Sequence, residues 1–361
     1  MNDRTTMQVF AAGFNAWGQL DFSSAPSSPE SLATDPQDLS TFTSILKTST
    51  ITDLQPLLAS THGENSTVLD ITATFVVLAA ALLTHRNSGL VLTSDGVQSA
   101  GFPSPFSKDG PLTRQLLTHQ LAIAGNEKVA VISAPDTVLQ YPTLAALEAG
   151  SPPEQVFTIP KTSAAAGSTS LSKPSILKVV AYQTGFALLS AGAIDSNSRV
   201  YTWGDERYSA CLGRQVTGST PADQPGLVED LVDLPTGPIR KIAAGGYILL
   251  AVTEGNDLYA WGGHPGWSTL IHEISETPMA VDIDGQDIVD CGVGDQHAIA
   301  LTSNGRLYVT GDNTNGQLGI PRAKKIQSWE EVSLSLREHG TITGVRAGGR
   351  TSFILVKSST P

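Results

Sequence analysis

The chain has 361 residues, of which 40% are hydrophobic and 16% charged, and it contains 34 glycines and 21 prolines. This composition indicates a protein of many short strands and turns rather than one of long helices. The formal net charge of −12 argues against a surface for nucleic acid or for an anionic membrane, because both require clustered basic residues. The longest apolar run, Phe75 to Leu83, is about half of the roughly 20 residues that a membrane-spanning helix needs.

The cysteines and the N-terminal residues indicate the cellular compartment of the protein. Cys211 and Cys291 lie far apart in the sequence and form neither a disulfide framework nor a zinc-binding spacing. The residues that follow Met1 to Arg4 lack the apolar core of a secretory signal. Together these features predict an intracellular protein, cytoplasmic, nuclear or both.

Two kinds of segment alternate along the chain, and their recurrence is the strongest pattern in the sequence. The first kind is an opening of small residues followed by an apolar strand, and it begins at residues 71, 120, 177, 239, 287 and 341. The second kind is a polar turn and a strand such as Val200–Gly204, with variants that follow Met7, Asn256 and Asn304. Turns rich in Asp, Asn and Gly, such as Ser303–Gly305, connect the two kinds and predict tight hairpins.

The spacing of 48 to 62 residues between successive first segments predicts an all-β fold, a single β-propeller of six to seven four-stranded blades. The C-terminal segment Thr341 to Lys357 is of the first kind, and no segment of the second kind follows it. The N-terminal strand Val9–Gly13 is of the second kind, and no segment of the first kind precedes it. We therefore expect the N- and C-terminal strands to pair within one blade and close the ring, which removes exposed strand edges. On this interpretation residues 1–361 form one propeller domain.

Three segments depart from the repeat. Residues 23–70 are interpreted as a degenerate first repeat with a flexible loop, and residues 149–175 as a long Ser/Pro-rich loop. A linker between two domains at 149–175 is the alternative, although the repeat spacing continues across it. Residues 328–340 are predicted as a short surface helix, because Ser328 and Glu331 have capping-box spacing and the apolar residues follow at helical intervals.

No catalytic, cofactor or metal site is legible in the sequence. Four aspartates crowd one segment but lack the glycine and glutamate offsets of a calcium loop, so we interpret them as a solvated acidic turn between blades: Asp282, Asp284, Asp287 and Asp290. There is no phosphate-binding glycine loop and no nucleophile elbow, and neither cysteine has an activating neighbour. The prediction is a protein that is not an enzyme and uses no cofactor.

The second segments also carry a signature. GFNAWGQL from Gly13, YTWGDERYSACLG from Tyr201 and GDNTNGQLG from Gly311 resemble the repeat of the regulator of chromosome condensation family. The resemblance is strong over 177–361 and at the N-terminus, and weak over 23–175. It implies a propeller, usually of seven blades, in which these residues are structural: Gly13, Trp17, Gly18, Trp203, Gly204, Gly213, Trp261, Gly262, His297, Gly311, Gly316 and Gly319.

Within that family the chain looks most like the short, stand-alone members. One type is the regulator of chromosome condensation domain-containing kind, which partners a histone-modifying oxygenase. Another is the alpha-tubulin-suppressor kind, which partners a small zinc protein in transfer-RNA modification and diphthamide synthesis. Both types imply a non-catalytic regulatory or scaffold subunit for a dedicated protein partner. The founding member of the family implies the alternative, guanine-nucleotide exchange on a small GTPase, although no wedge-like insertion is legible in this sequence.

Partner contacts are expected in loops, because function concentrates in the loops of a rigid scaffold. Arg207 and Tyr208 stand in the loop GDERYSACLG, and His264 and Trp267 stand in the loop GGHPGW. Aromatic and arginine side chains dominate the energetics of protein interfaces. We therefore predict that these four residues contact a partner, with ordinary packing inside the loops as the alternative role.

Overall fold

A computed structural model describes residues 5–16, 18, 20–21, 37–49, 88–93, 96–101, 120–159, 175–191, 198–266, 271, 274–321, 324–334, 336 and 340–359. Regular structure in these residues is almost entirely antiparallel β-sheet, as predicted. The helical segments in the described chain are single turns or little more: Leu144–Glu148, Glu206–Tyr208, Ser209–Leu212 and Glu229–Leu231.

The strands in the first third of the described chain are β1 (Thr5–Gly13), β2 (Leu39–Ser49), β3 (Ser88–Thr93) and β4 (Gly96–Gly101). Blade 1 consists of β5 (Leu121–Ile123), β6 (Val129–Ala134), β7 (Thr137–Tyr141) and β8 (Gln155–Thr158). Blade 2 consists of β9 (Ser175–Tyr182), β10 (Gly185–Ala191), β11 (Arg199–Gly204) and β12 (Gly226–Leu227).

Blade 3 consists of β13 (Ile239–Gly245), β14 (Ile248–Thr253), β15 (Leu258–Gly262) and β16 (Met279–Val281). Blade 4 consists of β17 (Ile288–Val293), β18 (His297–Thr302), β19 (Leu307–Asp312) and β20 (Lys325–Val332). The last strands are β21 (Gly340–Gly348) and β22 (Thr351–Ser359). In blades 1 to 4 each strand pairs with the next strand along the chain, which is the meander of a propeller blade.

Blade 5 contains both ends of the described chain. Its strand order is β21, β22, β1, β2, so the N-terminal strand β1 pairs antiparallel with the C-terminal strand β22. The register runs without interruption from Thr5 opposite Ser359 to Gly13 opposite Thr351. The predicted pairing of the terminal strands within one blade is therefore confirmed. The described residues give five four-stranded blades and the two-stranded sheet β3–β4, while the segment predicted from Ile71 lies outside them.

The first strand of each blade is the innermost, and neighbouring blades meet through these strands. A Cβ atom on Gly245 would lie 2.5 Å from the carbonyl oxygen of Val293 in the next blade. A Cβ atom on Gly292 would lie 2.7 Å from the backbone nitrogen of Ala347 in blade 5. Because real Cβ atoms do not approach so closely, the small residues predicted for the inner strands let the blades converge.

Most buried apolar side chains fill the spaces between neighbouring blades, and two smaller clusters lie within blade 1 and within blade 5. The cluster between blades 1 and 2 joins Ala130 to Val179 and Trp203, and the cluster between blades 2 and 3 joins Leu189 to Ile242 and Trp261. Similar clusters connect blades 3 and 4 and blades 4 and 5. Each blade therefore depends on its neighbours for burial of its faces, as expected for a repeat structure.

Three sequence predictions need correction. The helix predicted for 328–340 is wrong, because Ser328 to Val332 belong to strand β20. The loop predicted for 149–175 contains β8, the outer strand of blade 1, at 155–158. The degenerate repeat predicted for 23–70 contains β2 at 39–49, which completes blade 5; the rest of that segment lies largely outside the described residues.

Candidate functional site

The blades end in two faces that carry different connections. At the loop face lie the turns between first and second strands and the long connections that follow the third strands at Gly204 and Gly262. At the opposite tight-turn face, short turns at 254–257 and 303–306 join second and third strands. The hairpin chemistry predicted for these short turns is present, with Asn256 at φ 74° and Gly305 at φ 82°. The loop face therefore offers more surface to a partner.

The inner turns of the loop face are bonded to one another from blade to blade. The backbone nitrogen of Gln183 donates to the carbonyl oxygen of Gly246 at 2.6 Å. The backbone nitrogen of Asp295 likewise donates to the carbonyl oxygen of Gly349 at 2.8 Å. These bonds satisfy backbone groups that the turns would otherwise leave exposed. They make the loop face a connected platform rather than a set of independent loops.

The signature GxNxxGQL forms one loop structure at two places. In the loop after β19, Asn313 accepts a hydrogen bond from the backbone nitrogen of Leu318 at 2.8 Å. In the loop after β1, Asn15 accepts the same bond from the nitrogen of Leu20 at 2.9 Å. Gly316 and Gly18 stand at the matching turn with φ of 83° and 64°. Sequence reasoning missed the two asparagines, although their equal place in both repeats was a readable signal.

In blades 2 to 5 a glycine at or next to the end of the third strand approaches the hairpin turn between the first and second strands. Gly13, Gly262 and Gly311 have φ of 131°, 121° and 115°, a region that disfavours other residues. A Cβ atom on any of them would collide with a carbonyl oxygen of that turn. Gly204 keeps an ordinary φ, but a Cβ atom there would lie 2.7 Å from the carbonyl oxygen of Thr184. The recurrence of these glycines thus follows from backbone contact.

The signature tryptophans join adjacent blades. Trp261 is fully buried and donates from Nε1 to the carbonyl oxygen of Cys211 in the preceding blade at 3.2 Å. Its ring covers Gly213, where an added Cβ atom would lie 2.6 Å from the ring and φ is 62°. Trp203 donates from Nε1 to Gln140 Oε1 of blade 1 at 2.8 Å. Trp17 lies outside the described residues.

Gly319 and His297 complete the signature. Gly319 has φ of 67° and packs against the ring of Phe42 from β2, in the way that Gly213 packs against Trp261. His297 is fully buried, and a Cβ atom on Gly294 would collide with its ring. Burial lowers the pKa of His297 to about 4, while the nearby backbone of Thr351 opposes that shift. The ring is therefore neutral near pH 7 and packs as a core residue.

Three aromatic rings from blades 2 and 3 meet on the loop face. Tyr208 stacks on Tyr247 with ring centroids 5.1 Å apart, and His264 stands edge-on to Tyr247 at 4.7 Å. The Tyr208 and His264 centroids are 5.4 Å apart, so the three rings form one group, which we call the aromatic cluster. Burial and, to a smaller extent, the neighbouring Tyr208 raise the pKa of Tyr247 to about 12, so Tyr247 remains a neutral phenol. Each ring is half-buried and keeps part of its surface on the loop face.

The backbone beneath the aromatic cluster is held by Cys211. Its single S–H lies within hydrogen-bond reach of two carbonyl oxygens, that of Tyr247 at 3.4 Å and that of Gly263 at 3.7 Å from Sγ. Burial raises the pKa of the Cys211 thiol to about 12, and burial also raises the pKa of Cys291. Neither sulfur is a thiolate at neutral pH, so neither has the character of a nucleophile. Cys211 instead positions the rings above it.

Arg207 lies beside the aromatic cluster in a fixed position. Its guanidinium is 5.9 Å from the Tyr208 ring centroid and forms a bidentate pair with Asp205, with Nη2 2.6 Å from Oδ2. The hydrogen bonds from Arg207 lower the pKa of the Asp205 carboxyl. Although it is anchored, the Arg207 side chain is 80% exposed. The geometry leaves this cation available to a partner without a large loss of side-chain entropy.

The structure brings together three of the four residues predicted to contact a partner. Arg207, Tyr208 and His264 share the boundary of blades 2 and 3, where Tyr247 joins them. Trp267 lies outside the described residues. Tyr247 was not predicted from the sequence. Its position directly after the turn Gly245–Gly246 was the available signal, because that turn recurs in the inner hairpins.

The acidic segment interpreted as a solvated turn has a buried end. Asp282, Asp284 and Asp287 do lie between blades 3 and 4, but Asp290 is buried in β17. Asp290 pairs with Lys241 of β13 and with Arg346 of β21, with Arg346 Nη1 2.9 Å from Oδ2. It also accepts a hydrogen bond from the backbone nitrogen of Val345 at 2.8 Å. We call these residues the charged triad; it links three inner strands, and the prediction of a solvated Asp290 is wrong.

The described residues contain no group of three or more His, Cys, Asp or Glu side chains that could hold a metal ion. Across the same part of the chain, no helix is long and apolar enough to span a membrane. The loop face combines aromatic surface, the anchored Arg207 and exposed carboxylates such as Glu206, which together suit recognition of another macromolecule.

Residues 288–317, which cover β17, β18, β19 and the Asn313 loop, match the family described as regulator of chromosome condensation (RCC1) repeat. The human E3 ubiquitin-protein ligase HERC2 is 32% identical over 165 residues, which is 42% of this chain and 3% of HERC2. The mitochondrial RCC1 domain-containing protein RUG3 of Arabidopsis thaliana is 29% identical over 140 residues, which is 35% of this chain and 29% of RUG3. The matches thus span less than a third of either relative.

The solved structures with a similar fold include yeast RCC1, also called Prp20. Its complex with Kap60 gives a TM-score of 0.51 at 12% identity, covering 99% of this chain and 90% of that chain. Prp20p from Saccharomyces cerevisiae in a second structure gives a TM-score of 0.50 at 12% identity, covering 98% of this chain and 92% of that chain. At this identity the likeness concerns the fold. The blade order, the shared terminal blade and the repeat matched over 288–317 together support an RCC1-like β-propeller fold.

Proposed function

We propose that the protein is a non-catalytic protein-binding propeller, a regulatory or scaffold subunit that docks one dedicated intracellular partner on its loop face. The aromatic cluster with the anchored Arg207 carries this proposal. Arg207, Tyr208 and His264 are the contact residues, Tyr247 is added to them from the geometry, and Trp267 follows three residues after His264 in the sequence.

The cluster has the physical properties of an interface anchor. Its rings are held by one another and by the backbone that Cys211 fixes, so little conformational entropy is lost when a partner covers them. Tyrosine and arginine are enriched among the residues whose truncation costs most at interfaces. The blade boundary that presents them is rigid, because backbone hydrogen bonds join the inner turns.

The relatives suggest where the partner is to be sought. Resemblance to the short, stand-alone members of the family points to pathways of chromatin or transfer-RNA modification. Prp20p has binding properties to Gsp1p and histones, and its likeness to this chain is one of fold. Guanine-nucleotide exchange on a small GTPase is the alternative function, and the experiment below distinguishes it from docking of a dedicated partner.

The test is isolation of the complex with a tagged chain, followed by affinity measurements with the purified partner. Arg207→Ala or Tyr208→Ala is expected to weaken binding at least about 30-fold, since truncated interface anchors cost about 2 kcal/mol or more. Arg306→Ala is the matched control, because Arg306 is also an exposed, ion-paired arginine but lies on the tight-turn face.

Equal affinities for the Arg207→Ala and Arg306→Ala proteins would contradict a role for the aromatic cluster. A chain that stays monomeric and without a stoichiometric companion in its native cell would contradict the dedicated-subunit proposal itself. Preferential capture of a nucleotide-free small GTPase would replace the proposal with guanine-nucleotide exchange.

A further inference from the structure

A cavity of about 770 Å³ opens on the loop face between blades 1 and 2. Its lining includes Lys128 and Gln140 on the side of blade 1 and the segment from Val216 to Asp223 on the side of blade 2. Trp203, Asp205 and Glu206 also line it, and Tyr208 of the aromatic cluster follows Glu206 by two residues. The volume lies in the range of cavities that hold ligands or partner side chains.

Arg214 holds the blade 2 side of the cavity wall in place. Its Nη1 donates to the carbonyl oxygen of Thr220 and its Nη2 to that of Pro221, each at 2.9 Å. Further bonds from the same guanidinium reach the carbonyl oxygens of Thr202, Gln215 and Gln224. A loop held by so many charge-assisted hydrogen bonds keeps its shape when the cavity is empty. The cavity is therefore a built feature of the loop face.

Charges around the cavity are only partly compensated within the protein. Lys128 pairs with Glu154, with Nζ 3.1 Å from Oε2, and Asp205 pairs with Arg207. The carboxylates of Glu206 and Asp223 have no cationic partner in the part of the chain that the structure describes. The mouth therefore carries two uncompensated negative charges and favours a cation.

A hydroxyl group at the cavity also lacks a partner. Thr184 lines the cavity and is only 8% exposed, and its Oγ1 makes no hydrogen bond with the described residues. Most buried hydroxyl groups in proteins are hydrogen-bonded, and a buried one without a partner costs free energy. An N–H donor that entered the cavity would supply the missing bond once the Thr184 side chain turned its Oγ1 atom, which is enclosed in the free chain, toward that donor.

We propose that this cavity receives a basic side chain, an arginine or a lysine, from the partner protein. The proposal rests on the function proposed above, because the cavity and the aromatic cluster flank the segment Asp205–Tyr208. A basic side chain matches the two free carboxylates, offers N–H donors to Thr184 and places its aliphatic stem along the cavity wall. One partner segment can then cover the cavity and the aromatic cluster together.

The direct test uses the peptide acetyl-Gly-Gly-Arg-Gly-Gly-amide and a matched peptide with citrulline, which is neutral and nearly isosteric with arginine. Binding is followed by NMR through the indole N–H signals, since Trp203, which lines the cavity, is one of five tryptophans. The arginine peptide is expected to shift the Trp203 signal and the citrulline peptide to bind at least about tenfold more weakly, as expected when charge-assisted contacts are lost.

Three variants locate the binding. Glu206→Gln with Asp223→Asn should weaken the arginine peptide about tenfold, by loss of its charge-assisted contacts. Glu229→Gln with Asp230→Asn removes the same charge from exposed residues outside the cavity and should leave binding unchanged. Thr184→Val should weaken the peptide without lowering the unfolding temperature, because the free protein loses no hydrogen bond.

Equal binding of the two peptides, or equal effects of the two double variants, would overturn this inference. If free arginine or another small cation binds in the cavity and the arginine peptide does not, the cavity takes a small molecule and the inference is overturned. A partner complex that depends on Tyr208 but is unaffected by Glu206→Gln with Asp223→Asn would overturn the inference and leave the proposed function standing.

Discussion

Replacing Asp290 with asparagine removes the one anion of the charged triad and leaves two cations facing each other. The side chains of Lys241, Asp290 and Arg346 are only 14%, 11% and 15% exposed, so water compensates little of the lost charge. Breaking a buried pair costs about 3 to 5 kcal/mol, and the residual exposure places Asp290→Asn near the lower limit, at about 3 kcal/mol. With an unfolding entropy of about 2.1 cal/mol/K per residue, a cooperative unit of 361 residues would unfold roughly 4 °C lower.

Thermal unfolding followed by circular dichroism measures this effect, with Glu331→Gln as the control. Glu331 pairs with Arg306 at 3.5 Å, but the two side chains are 46% and 53% exposed. Exposed pairs contribute about 0 to 1 kcal/mol, so the control should unfold close to the wild type. Equal unfolding temperatures for Asp290→Asn and Glu331→Gln would refute the argument that the charged triad holds the inner strands.

Three further predictions concern single residues. Gly213→Ala should lower the free energy of unfolding by about 2 to 4 kcal/mol, because it adds a Cβ atom against Trp261 at positive φ. Gly218→Ala, with open space around it, is the control and should be close to neutral in the same unfolding assay. His297 has a native pKa of about 4, below the unfolded value of 6.5, so the unfolded state binds more protons and stability should fall by about 3 kcal/mol as pH drops from 6.5 to 4. His297→Gln should flatten that dependence in denaturant titrations at several pH values, and an unchanged slope would contradict the burial argument. Both cysteines should resist a thiol reagent at neutral pH until the protein is unfolded, since burial raises the pKa of each; fast labelling of the native chain would contradict this.

The propeller could be predicted because its determinants repeat in the sequence. Apolar strands, glycine turns and tryptophan–glycine pairs recur, and each recurrence reports the same local geometry. The pairing of β1 with β22 followed from counting which kind of segment was missing at each end. Such reasoning uses only the order of the elements and does not require knowledge of side-chain packing.

The predicted helix at 328–340 failed because of a β-bulge. In β20 the partly or fully buried residues are Ile326, Trp329 and Val332, at intervals of three, which imitate a helical face. The interval arises because the register against β19 shifts between Val309 and Gly311, so the alternation of sides is reset. Strand β8 was hidden for another reason, since it has four residues and only Phe157 among them is fully buried.

The candidate site could be predicted in part. Arg207, Tyr208 and His264 stood out as bulky residues in loops, but their contact arises from the packing of two blades, which local sequence does not report. The charged triad and the cavity likewise join residues from different blades. Asp290 was assigned to solvent because its neighbours in sequence are acidic, whereas its neighbours in space are Lys241 and Arg346.

The central claim is that the loop face at blades 2 and 3 binds a dedicated partner. Hydrogen–deuterium exchange of the chain alone and in its purified complex tests that claim most directly. We expect slower exchange in the complex at 205–212 and at the loop-face residues 246–247 and 262–264. The tight turns 254–257 and 303–306 should exchange as in the free chain. Protection confined to the tight-turn face would contradict the account.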